Sequence, residues 1–139
     1  MTDIFTKKKR SEIMSLVRSK NTVAEKIVFS YLRSKKVYFR KHYAGAIGSP
    51  DIARPREKKA VFIDGDFWHG REYRSLRKGK SENDFWVKKI KGNMDRDKRQ
   101  RKYLKINGWK LLMVWESDIK RKGTRNDLLQ KIQSFLTEK

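Results

Sequence analysis

The sequence has 139 residues, which suits one domain with its own hydrophobic core. Its 37 lysines and arginines against 16 acidic residues give a formal charge of +21, and such an excess indicates a polyanionic partner such as nucleic acid. The absence of cysteine excludes disulfides and thiolate metal sites, and no apolar run indicates a signal peptide or membrane segment. We therefore expect a cytoplasmic, nucleoid-associated protein that works on DNA and not on a membrane.

The N-terminal stretch is predicted to form a basic arm or short helix over 1–20 that contacts DNA, ahead of a folded domain over 21–139. Thr22 and Glu25, three residues apart, match the capping-box pattern and predict a helix from there to about Ser34. Glu25 also borders the apolar stripe of this helix. Capping alone explains this glutamate, and a role in an active site is the alternative.

Three strands are predicted next. Alternating residues predict a strand over 37–43, a second strand begins at Pro50, and the β-branched and aromatic run over 60–63 predicts a buried third strand. If the second and third strands form a hairpin, Asp51 comes close to Ile63 and Asp64 at the end of the third strand. The sequence therefore predicts a cluster of oxygen ligands at this end of the sheet.

This cluster suits the hydrolysis of a phosphodiester. The Asp51 carboxylate and the Ile63 backbone carbonyl are hard oxygen ligands of the kind that Mg²⁺ prefers. His69 is a candidate general base, because a neutral imidazole titrates near pH 7, although a lone histidine is by default a surface or core residue. Phe67 and Trp68 are consecutive, so both cannot point inward from a strand. They are candidate wedges that enter the base stack of DNA, with simple core packing as the alternative.

A long helix is predicted to begin after Ser81, with Asp84 at the capping-box position, and to end at 107–108. One face carries side chains at steps of three or four, namely Trp86, Ile90, Met94, Asp97, Arg101 and Leu104. An aspartate within an apolar stripe is costly unless it has a partner. Asp97 is therefore predicted either to pair with a neighbouring arginine or to orient His69.

A charged loop is predicted over 71–80, a central strand over 109–115, and a last helix capped by Thr124. The predicted order is helix, three strands, helix, strand, helix. This order indicates one α/β domain with a central mixed β-sheet flanked by helices.

The sequence resembles the very-short-patch repair (Vsr) mismatch endonucleases, a branch of the PD-(D/E)xK nuclease superfamily. The matching pieces, in the family's order, are IMSLVRSKNTVAE, GSPDIARP, AVFIDGDFWHG, FWVKKIKGNMDRD and GWKLLMVWE. The resemblance implies a restriction-endonuclease-like fold and a DNA repair enzyme that uses Mg²⁺, or Mn²⁺ in its place, to nick one strand next to a T:G mismatch or related base lesion. It implies double-stranded DNA as the partner. We expect a monomer, because a nicking enzyme can act as one, and we count other DNA repair proteins as further candidate partners.

The resemblance also implies roles for individual residues. Asp51 and the Ile63 carbonyl match the metal ligands, His69 the catalytic histidine, and Glu25 and Asp97 the acids of the active site. The aromatics that wedge into the DNA correspond to Phe67, Trp68 and Trp86. Contacts to the mismatched pair fall at Met14, Lys89 and Asn93.

Two departures from the family pattern stand out. Family members carry a structural zinc bound by three cysteines and one histidine, whereas the corresponding positions here are Asp66, Arg71, Tyr73 and Ser117. These residues cannot rebuild such a site, so we expect no zinc and an Asp66–Arg71 ion pair in its place. Asp64 stands where the family usually has a histidine that partners the Asp97 equivalent. Either one of these two aspartates is protonated, or Asp64 turns to the metal and joins the catalytic set.

Two alternatives remain open at the level of the sequence. One is a nuclease of the same fold with another specificity, such as homing-type or double-strand cleavage, but no additional DNA-binding module is present. The other is a non-catalytic nucleic-acid-binding protein. Retention of Glu25, Asp51, His69 and Asp97 favours an enzyme, because acids facing phosphates would weaken a mere binder.

Overall fold

The computed structural model describes residues 22–138, so the predicted arm over 1–20, with Met14, lies outside the described residues. The elements in chain order are helix α1 (Val23–Ser34), strands β1 (Arg40–Lys41), β2 (Ile52–Arg54) and β3 (Lys59–Asp64), helices α2 (Tyr73–Arg77) and α3 (Phe85–Ile106), strand β4 (Lys110–Trp115), and helices α4 (Glu116–Lys120) and α5 (Lys122–Thr137). Among the described residues, no helix combines the length and the apolar character needed to cross a membrane.

The strands form one mixed sheet in the order β1-β2-β3-β4. Strands β1, β2 and β3 pair antiparallel, with Ile52 opposite Val61, and β4 adds to β3 in parallel, with Val114 opposite Ile63. The parallel connection from β3 to β4 runs through α3, as parallel strands require a crossover. The predicted α/β class, with a mixed sheet flanked by helices, is confirmed.

Strand β3 is buried along its whole length because helices cover both faces of the sheet. Val61 and Ile63 belong to the larger core, which is shared with α1, α4 and α5. Ala60 and Phe62, on the opposite face, belong to a smaller core that includes Leu104 of α3. The alternation of side chains along a strand thus sends successive residues of β3 into two cores, and it fixes where this strand ends in the molecule.

The start of α1 confirms the predicted capping box. The Glu25 amide donates to Thr22 Oγ1 at 3.3 Å, and the Thr22 amide donates to Glu25 Oε1 at 3.1 Å. Helix α3 begins three residues later than predicted, because Asp84 and not Ser81 is its N-cap. The Asp84 carboxylate accepts hydrogen bonds from the amides of Trp86 and Val87 at 3.0 and 3.2 Å. A side chain at this position reaches the free amides of the first turn, which one three residues earlier cannot do.

Three other predictions need correction. The predicted strand over 37–43 reduces to the two exposed residues of β1, and His42 ends it with a φ of 49°. The predicted loop over 71–80 contains helix α2, which buries no residue and therefore has no apolar periodicity to reveal it. Helix α4 was not predicted, and α5 begins at Lys122. Thr124 does not cap α5; its hydroxyl donates to the carbonyl of Asp118, at 2.6 Å.

Candidate active site

A cleft of about 1300 Å³ opens where β3 ends and the β2–β3 hairpin meets the start of α1. All five side chains predicted to be catalytic line this cleft, namely Glu25, Asp51, Asp64, His69 and Asp97. Ile63, Phe67 and Trp68 line it as well, whereas the lining does not include Trp86, Lys89 or Asn93. The tertiary fold therefore brings together residues that lie up to 72 positions apart in the chain, from Glu25 to Asp97.

Asp51 precedes β2 and lies against the end of β3. Its Oδ2 atom accepts a hydrogen bond from the Ile63 amide at 2.7 Å, which confirms the predicted approach of these two residues. Burial raises the pKa of the Asp51 carboxyl to about 7, and the nearby Glu25 and Asp64 carboxylates add to the effect, while the Ile63 amide opposes it. A bound cation would stabilise the ionised form of the Asp51 carboxyl.

Glu25 is buried at the start of α1, and besides capping the helix it contacts a histidine. Its Oε2 atom lies 2.5 Å from His42 Nε2. Ligand atoms of Glu25, His42 and Asp51 all lie within 4.8 Å of one another. This spread is small enough for one divalent cation, and two carboxylates with one imidazole form a chemically suitable donor set.

The sequence analysis did not identify His42, which lies nine residues before Asp51 and outside the motifs that point to the site. The available signal was weak. His42 is one of only two histidines in the chain, and the strand before it pairs with the strand that follows Asp51. Only this pairing brings the imidazole beside the carboxylates.

His69 and Asp97 form a close pair across the cleft. His69 Nδ1 lies 2.5 Å from Asp97 Oδ2, so the predicted orienting contact is present. Burial of the imidazole disfavours its charged form, but the hydrogen bond to Asp97 and the charges of Asp64 and Asp97 outweigh burial and raise the pKa of His69. Burial likewise acts to raise the pKa of Asp97, and the bond to His69 outweighs it and lowers that pKa. The alternative partner is also there, since Arg96 Nη2 lies 3.4 Å from Asp97 Oδ1.

Asp64 takes a partner that the sequence analysis did not foresee. Arg101 of α3 donates two parallel hydrogen bonds to its carboxylate, at 2.7 and 2.9 Å, and also stacks over the Phe62 ring at 4.5 Å from the ring centroid. The bidentate guanidinium compensates the charge of this buried carboxylate, and neither alternative from the sequence, a protonated aspartate or a metal-bound Asp64, had included such a partner. The partners lie 37 residues apart, and only the packing of α3 over β3 brings them together.

The three predicted wedge aromatics form one cluster. The Phe67 ring packs edge-to-face against Trp68 and Trp86, with centroid distances of 5.2 and 5.3 Å. Phe67 and Trp68 are half-buried at the cleft, whereas Trp86 is fully buried beneath them. Asn93 is buried too, and its side-chain amide donates to the Trp68 carbonyl at 3.1 Å, while Lys89 is exposed on α3. Asn93 thus supports the loop that carries the two half-buried aromatics.

Three of the four positions that correspond to the family's zinc ligands form a hydrogen-bonded cluster. Asp66 accepts hydrogen bonds from the amide and hydroxyl of Ser117, at 3.0 and 2.5 Å, and pairs with Arg71 at 3.2 Å. Arg71 also pairs with Asp118 at 3.1 Å, whereas Tyr73 begins α2. The predicted Asp66–Arg71 ion pair is confirmed, and the cluster fastens the loop after β3 to α4.

The mixed sheet, the helices on both faces and the cleft at the end of β3 agree with the restriction-endonuclease-like α/β fold that the sequence predicted. Residues 2–75 match the family described as DNA mismatch endonuclease Vsr. The chain is 37% identical to the type II nicking enzyme V.NmeAIP of Neisseria meningitidis, over 95% of this chain and 94% of that protein. It is 38% identical to the type II nicking enzyme V.XorIIP of Xanthomonas oryzae pv. oryzae, over 95% and 97%, and 29% identical to the DNA mismatch endonuclease Vsr of Escherichia coli, over 98% and 88%. This chain belongs to the Vsr endonuclease family.

Proposed function

We propose that this protein is a Mg²⁺-dependent DNA endonuclease that nicks one strand of duplex DNA beside a T:G mismatch or a related base lesion. The observation that carries the proposal is the meeting of Asp51, Glu25 and the His69–Asp97 pair in one cleft. A cation site and a general base side by side are the two groups that phosphodiester hydrolysis requires. The names of the relatives, which include nicking enzymes and a mismatch endonuclease, support the reaction and the substrate.

The Asp51 carboxylate and the Ile63 backbone carbonyl would hold the Mg²⁺ ion, for which Mn²⁺ is a natural substitute. Glu25 adds a second buried carboxylate at this point. Hard, anionic oxygens fit this class of cation. When bound, the cation would polarise the scissile phosphate and lower the pKa of the attacking water.

His69 would be the general base. With the proton of the neutral imidazole on Nδ1, the Asp97 carboxylate accepts a hydrogen bond from Nδ1–H, and this leaves the lone pair of Nε2 to take the proton of the attacking water. The same carboxylate orients the ring and stabilises the imidazolium that forms. A pKa raised above the ordinary value of 6.5 keeps His69 in the range in which a base works at neutral pH.

Contacts with the substrate would come from several parts of the chain. Phe67 and Trp68, with Trp86 behind them, would open the base stack beside the mismatch. Lys89 on α3 and Met14 in the arm over 1–20 would contact the mismatched pair from outside the cleft of the domain over 21–139. The predicted contact of Asn93 would be indirect, since this buried side chain holds the Trp68 carbonyl. Arg96, Lys120 and Arg121 line the cleft and would hold the DNA backbone. We expect the protein to act as a monomer, with other repair proteins as further partners.

The substrate is tested with labelled duplexes that are perfectly paired or carry T:G, another mismatch, uracil or hypoxanthine. Each is incubated with the protein and Mg²⁺ or EDTA and resolved on a denaturing gel. We expect a Mg²⁺-dependent nick in one strand of the T:G duplex. Nicking confined to another lesion would overturn the T:G assignment, and cleavage of both strands of a paired duplex would indicate another specificity. No cleavage of any duplex would overturn the reaction itself.

The cation site is tested with Asp51→Asn. Cleavage should be abolished, while duplex binding persists or tightens because one acid fewer faces the phosphates. Asp95→Asn is the matched control. Asp95 is exposed on α3, and within the described residues its only ion pair is with Lys91. Equal cleavage by the two variants would contradict the proposed role of Asp51.

A further inference from the structure

The backbone holds His42 next to Asp51 across the edge of the sheet. Lys41 pairs with Ile52 in the β1–β2 register, and the His42 amide donates to the Asp51 carbonyl at 2.9 Å. The next amide, of Tyr43, donates to the Pro50 carbonyl at 3.0 Å. His42 has a φ of 49°, a left-handed conformation that non-glycine residues adopt uncommonly. Two backbone hydrogen bonds and a strained backbone conformation together fix the point from which the imidazole extends.

The ring faces the acids of the cleft. The side chain of His42 is 17% exposed and that of Glu25 6%, and their Nε2 and Oε2 atoms form the 2.5 Å contact. The other side of the ring packs edge-to-face on Phe29, with centroids 5.8 Å apart. The imidazole therefore lies between the Phe29 ring and the buried Glu25 carboxylate, with Nε2 directed at an acid of the proposed cation site.

We propose that His42 is a nitrogen ligand of the cation site, together with Glu25 and Asp51, and that it gives this site a higher affinity for transition-metal ions than for Mg²⁺. The inference rests on the cation site of the proposed function and adds a ligand to it. The donor atoms of these three residues lie within 4.8 Å of one another. Carboxylates alone suit Mg²⁺ and Mn²⁺, whereas an imidazole adds affinity for ions such as Co²⁺ that accept nitrogen readily.

A role in which His42 only orients Glu25 makes a different prediction. Glutamine at position 42 can still donate a hydrogen bond to the Glu25 carboxylate, but it offers no imidazole nitrogen. His42→Gln therefore preserves an orienting contact and removes a nitrogen ligand. His69→Gln is the matched control, because it removes the other histidine of the chain.

The test is calorimetric titration of the metal-free protein with CoCl₂ and, separately, with MgCl₂, with folding of each variant checked by its melting temperature. We expect His42→Gln to lose about tenfold or more in Co²⁺ affinity and less than about threefold in Mg²⁺ affinity, while His69→Gln keeps the preference for Co²⁺. Equal Co²⁺ affinity in wild type and His42→Gln would overturn the proposal.

Two further measurements keep the outcomes distinct. Pulsed electron paramagnetic resonance on Mn²⁺-loaded protein labelled with ¹⁵N-histidine should show a nitrogen coupling in the wild type and in His69→Gln, and no coupling would refute His42 as a ligand without any substitution at position 42. Asp51→Asn should weaken the binding of both ions. If it weakens neither, the proposed cation site itself fails, whereas loss of both ions in Asp51→Asn with full Co²⁺ binding in His42→Gln overturns only the role of His42.

Discussion

Two aspartates of the cleft, Asp64 and Asp97, have partners of different chemistry. Asp64 is held by the guanidinium of Arg101, which is cationic at any pH that proteins tolerate. Asp97 is held by the imidazole of His69, which can gain and lose a proton near neutral pH. The Asp64–Arg101 pair is suited to holding α3 on the sheet, and the Asp97–His69 pair is suited to proton transfer.

Replacing Asp97 should change the pH dependence of cleavage. The base must be neutral to accept a proton, so the raised pKa of His69 places the acid limb of the rate profile above pH 6.5. Asp97→Asn removes the charge that raises this pKa, and the acid limb should move to lower pH. The plateau rate should fall by about 10- to 100-fold, because the ring loses its orienting partner.

The measurement is a single-turnover rate profile from pH 5 to 9 at saturating Mg²⁺, a range that brackets the ordinary histidine pKa. Asp95→Asn, on the exposed side of the same helix, should match the wild type in both position and height. A profile of Asp97→Asn that keeps the wild-type acid limb would show that another group is the base.

At the scale of the elements, a buried lysine joins the sheet to the last helix. Lys59 is only 5% exposed at the start of β3, and its ammonium donates to the carbonyl oxygens of Phe135, at 2.8 Å, and Glu138. These carbonyls lie at the end of α5, where the helix dipole favours a positive charge. The pairing of β3 with α5 is therefore electrostatic as well as apolar.

Lys59→Met should destabilise the protein by about 2 kcal/mol, because it removes the two charge-assisted hydrogen bonds of the buried Lys59 ammonium. The neighbouring Lys58 is the control, since its ammonium makes one exposed bond to the Asn107 carbonyl at 3.0 Å. Lys58→Met should cost less than about 1 kcal/mol. Urea unfolding of the two variants measures both values, and equal midpoints would contradict the role of Lys59.

The cluster around Asp66 should stabilise the loop after β3. Asp66→Ala removes the acceptor of two Ser117 hydrogen bonds and the partner of Arg71, and should lower the melting temperature by about 3–6 °C. Burial alone would raise the pKa of Asp66, but its bonds to Ser117 and Arg71 lower it. Its contribution to stability is therefore fully present above the ordinary pKa of 3.8 and is lost as the pH falls through the lower folded-state pKa.

The difference between Asp66→Ala and the wild type should accordingly be constant from pH 7 down to about 4 and shrink below it. Asp95→Ala serves for comparison, because it removes an exposed carboxylate of an i,i+4 pair and should change the melting temperature little. Equal melting temperatures for Asp66→Ala and the wild type would contradict a stabilising role of this cluster.

For the whole molecule, we expect the formal charge of +21 to dominate the affinity for DNA. Binding of Asp51→Asn to a duplex should weaken by about 10³-fold or more between 50 and 200 mM salt, because each lysine or arginine that meets a phosphate releases counterions. Fluorescence anisotropy without divalent cations measures the slope on paired and T:G duplexes. The slopes should be alike and the T:G affinity higher, and a salt-independent affinity would contradict backbone binding.

The elements that the sequence predicted well are those whose signals are local. The capping box at Thr22 and Glu25 fixes the start of α1, and the apolar run of β3 needs no partner to be recognised as a buried strand. The convergence of Asp51 on Ile63 followed from a hairpin, which is local too. Asp84 was misjudged because Ser81 offered an equally good local signal, and α2 was missed because nothing in it is buried.

The family, the fold class and the five candidate catalytic side chains that line the cleft could be inferred from the sequence alone, because they follow from short motifs in a fixed order. Only the tertiary structure decided the partners, since a hydrogen bond between distant residues depends on the register of whole elements. The pairing of β1 with β2 places His42 beside Glu25, and the packing of α3 across β3 places Arg101 beside Asp64. No local pattern encodes such a contact, because it depends on how two separate elements pack and not on either one alone.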